Sequence, residues 1–524
     1  MSQQLTVSGL YNNRLVEHFI TLISNTTSLS RDASATAVGI TAVATALFAW
    51  HRIKSSRENL AFNGIPTPKG ARLIIGHILS LGSNLPKTFH KWHKELGPVF
   101  RIKLGSKDAI VISNPALTQD LLSTNGKYTS NRPDSFALIG FKHSGNNDGV
   151  VAVLNALGPK RLKEENSILC NEADEFVDLV STGENIDPLA PLMRVSLNFI
   201  LLTLFSTRTT SIDDPLYKQA IHIITTFMSF TGIVNTAITL IPLLRVLNPF
   251  FSNDKKIAAF SMGTCKPFYD SLIEKGLDVD GDNMVKLLNE ELNQGKRGNY
   301  DNMFLTINDM LVAGTDTTAV TITWAFLQLS TKPEVQKKIQ EEIDAFVDKH
   351  GRVPYFWERD SVPYMIAVQR ECFRLRPTTE FGVPHAVAED FEWRGTLIPK
   401  QTWIFSNMMD AHMDSKKYPN PEKFDPDRFL GQEDTMFSSA NRRPENRDHF
   451  NFGWGRRVCP GSHLAETQMF SVWVRVLARC NIMPAVDKNG NDVPKTLDTV
   501  SPKSGPTVVS PSPFKIRFVP RNKN

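Results

Sequence analysis

Ten residues, Phe452-Gly453-Trp454-Gly455-Arg456-Arg457-Val458-Cys459-Pro460-Gly461, constrain this chain more than any other stretch of it. Glycines at 453, 455 and 461 let the backbone take positive φ and come close to a bulky planar partner. A backbone turned in this way aims N–H groups at one sulfur, and those donors, with Arg457 beside them, would hold Cys459 as a thiolate. His463-Leu464-Ala465-Glu466 then opens a helix whose positive N-terminal end favours the same anion. A thiol packed only for bulk needs none of this. Cys170, Cys265, Cys372 and Cys480 lack such surroundings and read as small buried hydrophobes. Five cysteines without paired spacing make no disulfide framework and fit a reducing compartment.

The rest of the chain describes one large body behind a short leader. No long Gly/Ser-rich or Pro-rich linker and no internal repeat interrupts residues 60 to 524. Hydrophobic content of 41% with 32 Phe can fill a single core, and a net charge of +5, evenly spread, argues against nucleic acid. Ahead of the body, Ala33 to Trp50 carries no charge, and His51, Arg52, Lys54 and Arg57 follow at once. A helix of that length just spans a bilayer core of roughly 30 Å, and the basic flank places its C-terminal side in the cytosol. A cleaved signal or an interfacial helix fits the same residues. The boundaries expected are a luminal segment over 1–32, a transmembrane anchor over 33–50, a basic flank and Pro hinge over 51–70, and a catalytic body over 71–524.

Within the body, Val99 to Ser113 reads as a β-hairpin turning at Gly105-Ser106, and a second strand pair is expected from 391–393 and 403–405. Most of the remainder is helical, including 189–206, 217–244 and a helix opened by Thr331-Lys332-Pro333. Met310-Leu311-Val312-Ala313-Gly314-Thr315-Asp316-Thr317-Thr318 lies in another helical pattern, with Ile307, Met310, Leu311, Gly314, Thr317, Thr318 and Thr321 on one stripe. Thr317 can bond the carbonyl of Ala313 and loosen the helix there. Gly314 removes a side chain and leaves room there for a flat ligand. A hydroxyl next to the Asp316 carboxylate suits proton delivery, although a simply packed amphipathic helix explains the pattern equally well. Glu371 and Arg374, three apart on a short apolar helix, can pair, and Arg428 could be the further partner that a buried pair requires.

Phe452, Gly455, Arg457, Cys459 and Gly461 fit F-x-x-G-x-R-x-C-x-G, which resembles the haem-binding signature of cytochromes P450. Ala313 to Thr318 resembles that family's A-G-x-D-T-T motif. Glu371–Arg374 and Pro426-Asp427-Arg428-Phe429 resemble its E-x-x-R and P-x-R-F segments. The likeness runs over nearly the whole body. It implies a mainly α fold with small β-sheets, a triangular prism of helices around a buried haem b with Cys459 as the axial metal ligand, and a single N-terminal transmembrane helix. It gives Thr317 and Asp316 the role of proton delivery, and Glu371, Arg374 and Arg428 a structural role behind the haem loop.

The resemblance also gives His385 and Arg457 as partners of the haem carboxylates. The Trp and Arg that the family's C helix normally adds are absent from Gly158 to Glu164, so Lys160, Arg161 or Lys163 would have to substitute. Phe136, in a loop over the distal face, and Phe381 and Val383, in a wall beside the haem, would meet the substrate, with Glu380 an odd neighbour there.

The function implied is insertion of one atom of O2 into a lipophilic molecule at the endoplasmic reticulum membrane, by hydroxylation or epoxidation. Steroids, terpenoids, fatty acids, secondary metabolites and foreign compounds all qualify. No G-x-G-x-x-G segment is present, so electrons would come from NADPH through a separate reductase, with cytochrome b5 a possible second donor. Arg442, Arg443, Arg447, Arg456, Lys416 and Lys417 could face an acidic partner. Two other readings stay open: a haem-thiolate isomerase, dehydratase or peroxygenase that needs no reductase, and an inactive haem-binding membrane protein.

Overall fold

The computed structural model describes residues 61–522, apart from 83, 134–156, 231–239, 242–252, 294–299, 433 and 505–507. The anchor expected at 33–50, the segment before it, and Phe136 lie outside the described residues. The chain divides into two units. One is residues 1–64 with Glu392–Ile398, and the other is Ile65–Phe391 with Pro399–Asn524. In the small unit Ala61 bridges Leu397 in parallel, and the Phe62 N–H donates to the Leu397 carbonyl at 3.0 Å.

The large unit is helical. Among its helices are α1 (Leu85–Leu96), α2 (Pro159–Glu164), α3 (Asn166–Val180), α4 (Leu189–Phe205), α5 (Pro215–Phe230), α6 (Lys266–Asp278), α7 (Tyr300–Leu329), α8 (Pro333–His350), α9 (Pro363–Leu375) and α10 (Ser462–Arg479). Local chemistry sets many of their ends. The Asn84 side chain accepts from Lys87 N–H to start α1, and Pro333 occupies the first turn of α8. Gly351, left-handed at φ 69°, stops α8. Thr331 does not cap α8 as expected; its hydroxyl donates back to Gln328 O at the end of α7, and Lys332 takes the cap position.

Helix α7 is the axis of the core. Its C-terminal half packs with α3, α8, α9 and α10 and with strands near the C-terminus. Its N-terminal half packs with α4, α5 and α6. It is also the one described helix long and apolar enough to cross a bilayer, and most of it is buried inside the protein.

Strands β1 (Val99–Leu104) and β2 (Lys107–Ile112) form the expected hairpin, in the register Val99↔Ile112, with Gly105 at φ 60° in the turn. The second expected pairing is corrected. The strands β3 (His385–Ala386), β4 (Phe391–Trp393), β5 (Thr396–Ile398) and β6 (Trp403–Ser406) follow, but β4 pairs with β5 and not with β6. Arg394 and Gly395 both take positive φ, which closes a two-residue turn. β6 instead joins β2 in parallel and β3 in antiparallel, giving the order β1-β2-β6-β3. His385 thereby lies opposite Ile404 on a buried strand.

Candidate functional site

The cysteine loop forms a tight turn ahead of α10. Gly453 and Gly455 take φ 79° and 56°, and Cys459 N–H donates to Phe452 O at 2.8 Å. The glycines do not all serve the same purpose. A Cβ on Gly455 would meet Leu122 O at 2.5 Å, so this glycine admits the backbone of another segment and not a planar ligand. Gly461 has an ordinary φ of −87°, and its N–H reaches the Cys459 sulfur. Burial raises the thiol pKa, and that one N–H only partly opposes the rise. Arg457, expected beside the sulfur, donates from Nε to Ser130 O at 2.8 Å. A bound metal ion would oppose that rise, because it deprotonates a coordinating thiol outright. Phe452, Val458, Cys459, Pro460, Gly461 and Ala465 keep partial exposure, as does most of the loop around them, while Trp454, Ser462 and Leu464 are buried.

Helix α7 carries a second open surface. Between Leu305 and Leu329 it is buried almost throughout, except at Leu305, Asp309, Ala313, Gly314, Asp316, Thr317 and Thr321. Leu305, Asp309, Ala313, Thr317 and Thr321 recur every four residues on one face. Ala313 is exposed in mid-helix. Thr317 donates to Ala313 O at 2.8 Å, and Thr321 pairs with the Thr378 hydroxyl. Burial pushes the Asp316 carboxyl up to about 6. Asp316 also borders a cavity of about 320 Å³, lined mainly by apolar residues of α5 and of the segment 508–514. The role expected for Gly314 is corrected as well. Its missing Cβ points at Ile200 of α4, 2.9 Å from the Cδ1 position, so this glycine serves the close crossing of two helices. Leu464, early in α10, shares a core cluster with Leu311 of α7 and ties the cysteine loop to this helix.

Three cationic or hydrogen-bonding groups gather beside the loop. His385 Nδ1 lies 2.8 Å from Thr129 O, and Ala386 N–H donates to Asn131 O at 2.7 Å. This contact lays residues 129–132 against 383–386. Arg132 then donates from Nη1 to Val383 O and Pro384 O, at 2.6 and 3.0 Å. Burial, with Arg457 nearby, pushes Arg132 down to about 9; burial, with Arg132, holds His385 well below its usual range. Sequence reasoning missed Arg132. The available signal was an Arg before Pro133, a position biased to extended backbone. Two of the three substitutes expected from α2 have other partners: Arg161 binds Glu165 at 2.6 Å, and Lys163 lies over the Trp357 ring. Phe381 packs edge-on against Phe89 at 5.0 Å in the core of the sheet. Burial pushes the Glu380 carboxyl up to about 7.

Behind the loop the expected network is assembled. Glu371 accepts from Arg374 Nε and Nη2 at 2.7 and 2.8 Å, from Asp425 N–H at 2.8 Å and from Arg428 Nε at 3.3 Å. A second buried pair, Arg370–Asp448 at 2.9 Å, was not foreseen, because Asp448 is distant in sequence and carries no motif. Arg447 is corrected from the surface patch to the interior. It donates to Gly453 O at 2.9 Å and lies over the Phe450 and Trp454 rings. Lys417 is half-buried on Pro444 O, and Arg442 pairs with Asp434 at 2.5 Å but stays exposed, as do Arg443, Arg456 and Lys416.

The cytochrome P450 family model matches residues 66–509. The chain is 30% identical to the cytochrome P450 monooxygenase virE of Hypocrea virens, over 91% of this chain and 89% of that protein. It is 29% identical to cytochrome P450 2C70 of the rat, over 90% and 96%, and 26% identical to 3-hydroxyphenylacetate 6-hydroxylase of Emericella nidulans, over 98% and 96%. The chain belongs to the cytochrome P450 family, a family of oxidoreductases that use O2, a redox partner and a haem-thiolate cofactor. The residues present fit that cofactor. Ala313 is bared on a core helix, Cys459 and its loop neighbours keep partial exposure, and Arg132, Arg457 and His385 suit two carboxylates.

Proposed function

We propose that the protein is a membrane-anchored monooxygenase inserting one atom of O2 into a lipophilic small molecule. Electrons come from NADPH through a separate flavin reductase, with cytochrome b5 as a further donor, and residues 33–50 anchor the enzyme in the endoplasmic reticulum membrane. Haem b, ligated by Cys459, supplies oxygen activation through electron donation from the thiolate. The observation that carries this reading is the open face of α7, where Ala313, Asp316 and Thr317 meet. Thr317 is tethered through its hydroxyl to Ala313 O and presents its oxygen at the bared turn. A carboxyl at about 6 passes readily between its two forms near neutral pH, as a proton relay requires. The cavity on the other side of Asp316 gives water a way to recharge it. Arg132, Arg457 and His385 hold the haem carboxylates, and Glu371, Arg374 and Arg428 hold the loop. A relative whose name describes ring hydroxylation of an aromatic acid supports hydroxylation as the outcome.

The test has two parts. Reduced protein with carbon monoxide must show the long-wavelength Soret band of sulfur-ligated haem, and Cys459→Ser must lose it. Oxygen uptake must depend on NADPH and reductase, and Thr317→Ala and Asp316→Asn must divert it from product to peroxide. Turnover that needs no reductase would favour the isomerase or peroxygenase alternative instead.

A further inference from the structure

One turn after Thr317 donates to Ala313 O, Thr321 repeats the pattern and donates to Thr317 O at 2.7 Å. Two successive carbonyls on one face of α7 thus receive a hydroxyl besides the helical N–H, which loosens the turn that carries Thr317. Thr321 has a second partner from outside the helix, the hydroxyl of Thr378, 57 residues away in sequence. A hydroxyl has one hydrogen to give and two lone pairs to accept with. While the Thr321 hydrogen rests on Thr317 O, the bond between the two threonines must use the hydrogen of Thr378. The Thr378 hydroxyl has no other partner among the described residues. The hydrogens therefore run one way, from Thr378 to Thr321 to the Thr317 carbonyl. Thr378 is itself held firmly. It is buried, it follows Pro377 in the segment that leaves α9, and its carbonyl accepts from Val509 N–H at 2.9 Å. Val509 O in turn accepts from Trp324 Nε1 at 2.7 Å, and the Arg376 guanidinium lies 4.7 Å over the Trp324 ring. Trp324 stands three residues after Thr321, so the 376–378 segment grips α7 at two neighbouring positions. Neither the Glu371 network nor the pairing of Asp316 with Thr317 uses the Thr378 hydroxyl.

We infer that Thr378 is a positioning residue for proton delivery. By donating to Thr321 it keeps the Thr321 hydrogen on Thr317 O, and so fixes the loosened turn from which the Thr317 hydroxyl acts. Without that donor the Thr321 hydroxyl turns freely and the turn fluctuates. This inference rests on the monooxygenase reading and adds a residue to its proton relay.

The test uses the holoenzyme and compares Thr378→Val, which keeps the shape and removes the hydroxyl, with Thr378→Ser, which keeps the hydroxyl. Two readouts need no substrate. Amide hydrogen exchange at residues 317–321 should quicken by about fivefold in Thr378→Val, the worth of one hydrogen bond. The second is the rate at which reduced protein is reoxidised by O2, measured by stopped flow in H2O and in D2O. Each O2 that leaves with one electron takes up one proton, so reoxidation in Thr378→Val should slow by about fivefold if one positioning hydrogen bond is lost, and its solvent isotope effect should shrink. Thr321→Val should give the same changes, and the double variant no more than either alone, because both act through one bond. Thr378→Ser should behave as the wild type. Unchanged exchange, additive effects, a serine variant that restores nothing, or faster exchange with an unaltered reoxidation rate and isotope effect overturns the inference; the last outcome would mean a bond that only holds the fold. Thr317→Ala is the control. If it too leaves reoxidation and its isotope effect unaltered, the relay reading beneath the inference has failed; if it alters them and Thr378→Val does not, only the inference has. Should Thr378→Val lose haem, Thr321→Val carries the same comparison from the other side of the bond.

Discussion

Replacing Glu371 with Gln removes one negative charge from a fully buried site without changing its shape. Four donors converge on this carboxylate, and Arg374, also fully buried, commits its remaining donors to His412 O at 2.9 Å and Lys423 O at 3.4 Å. An amide keeps one acceptor oxygen but turns an NH2 group toward donors that have nowhere else to go. The guanidinium is then left in the interior without its counter-charge. Breaking a buried pair from one side costs about 3–5 kcal/mol, a large share of the roughly 5–15 kcal/mol that holds a domain folded. Denaturant unfolding followed by circular dichroism should show the midpoint fall by that loss divided by the slope, with little change of the slope itself. The haem-free protein should show the same loss, because the network is internal to the chain. Converting both partners, Glu371→Met with Arg374→Met, should recover most of the stability, since an apolar pair of similar volume needs no counter-charge. A loss below about 1 kcal/mol for Glu371→Gln would refute the reasoning, as that is the worth of a solvated surface pair.

Gly314→Ala should destabilise by about 1–3 kcal/mol, since its Cβ would press on Ile200 Cδ1, and Ile200→Val should relieve it; paired unfolding curves check both. Arg132→Leu should lower retained haem, read as the ratio of Soret to protein absorbance after dialysis, while Arg161→Leu should leave it unchanged. Asp316→Asn should raise stability by about 1–2 kcal/mol above about pH 6, after discount for partial exposure. The sign follows from a folded pKa raised from 3.8 to about 6. Below pH 3.8 both states are protonated and the carboxyl costs nothing, whereas as pH rises through about 6 the wild-type protein loses stability that the amide keeps. Unfolding curves at several pH values read the crossover.

Short-range chemistry was legible in the chain itself. The cysteine loop, the pairing of Glu371 with Arg374 and the bond from Thr317 to Ala313 O join residues a few positions apart, where spacing alone dictates who can meet. The tertiary structure decided what depends on segments far apart. His385 meets Thr129 from 256 residues away, and only the docking of 129–132 against 383–386 brings in Arg132. β6 joins β2 in parallel, a pairing that requires a long crossover and leaves no turn signature. The open face of α7 runs through Ala313 and not through Gly314, because α4 occupies the glycine side. Periodicity says that a helix has faces; which of them stays bare depends on the neighbours that pack against the others, and no local pattern encodes those neighbours.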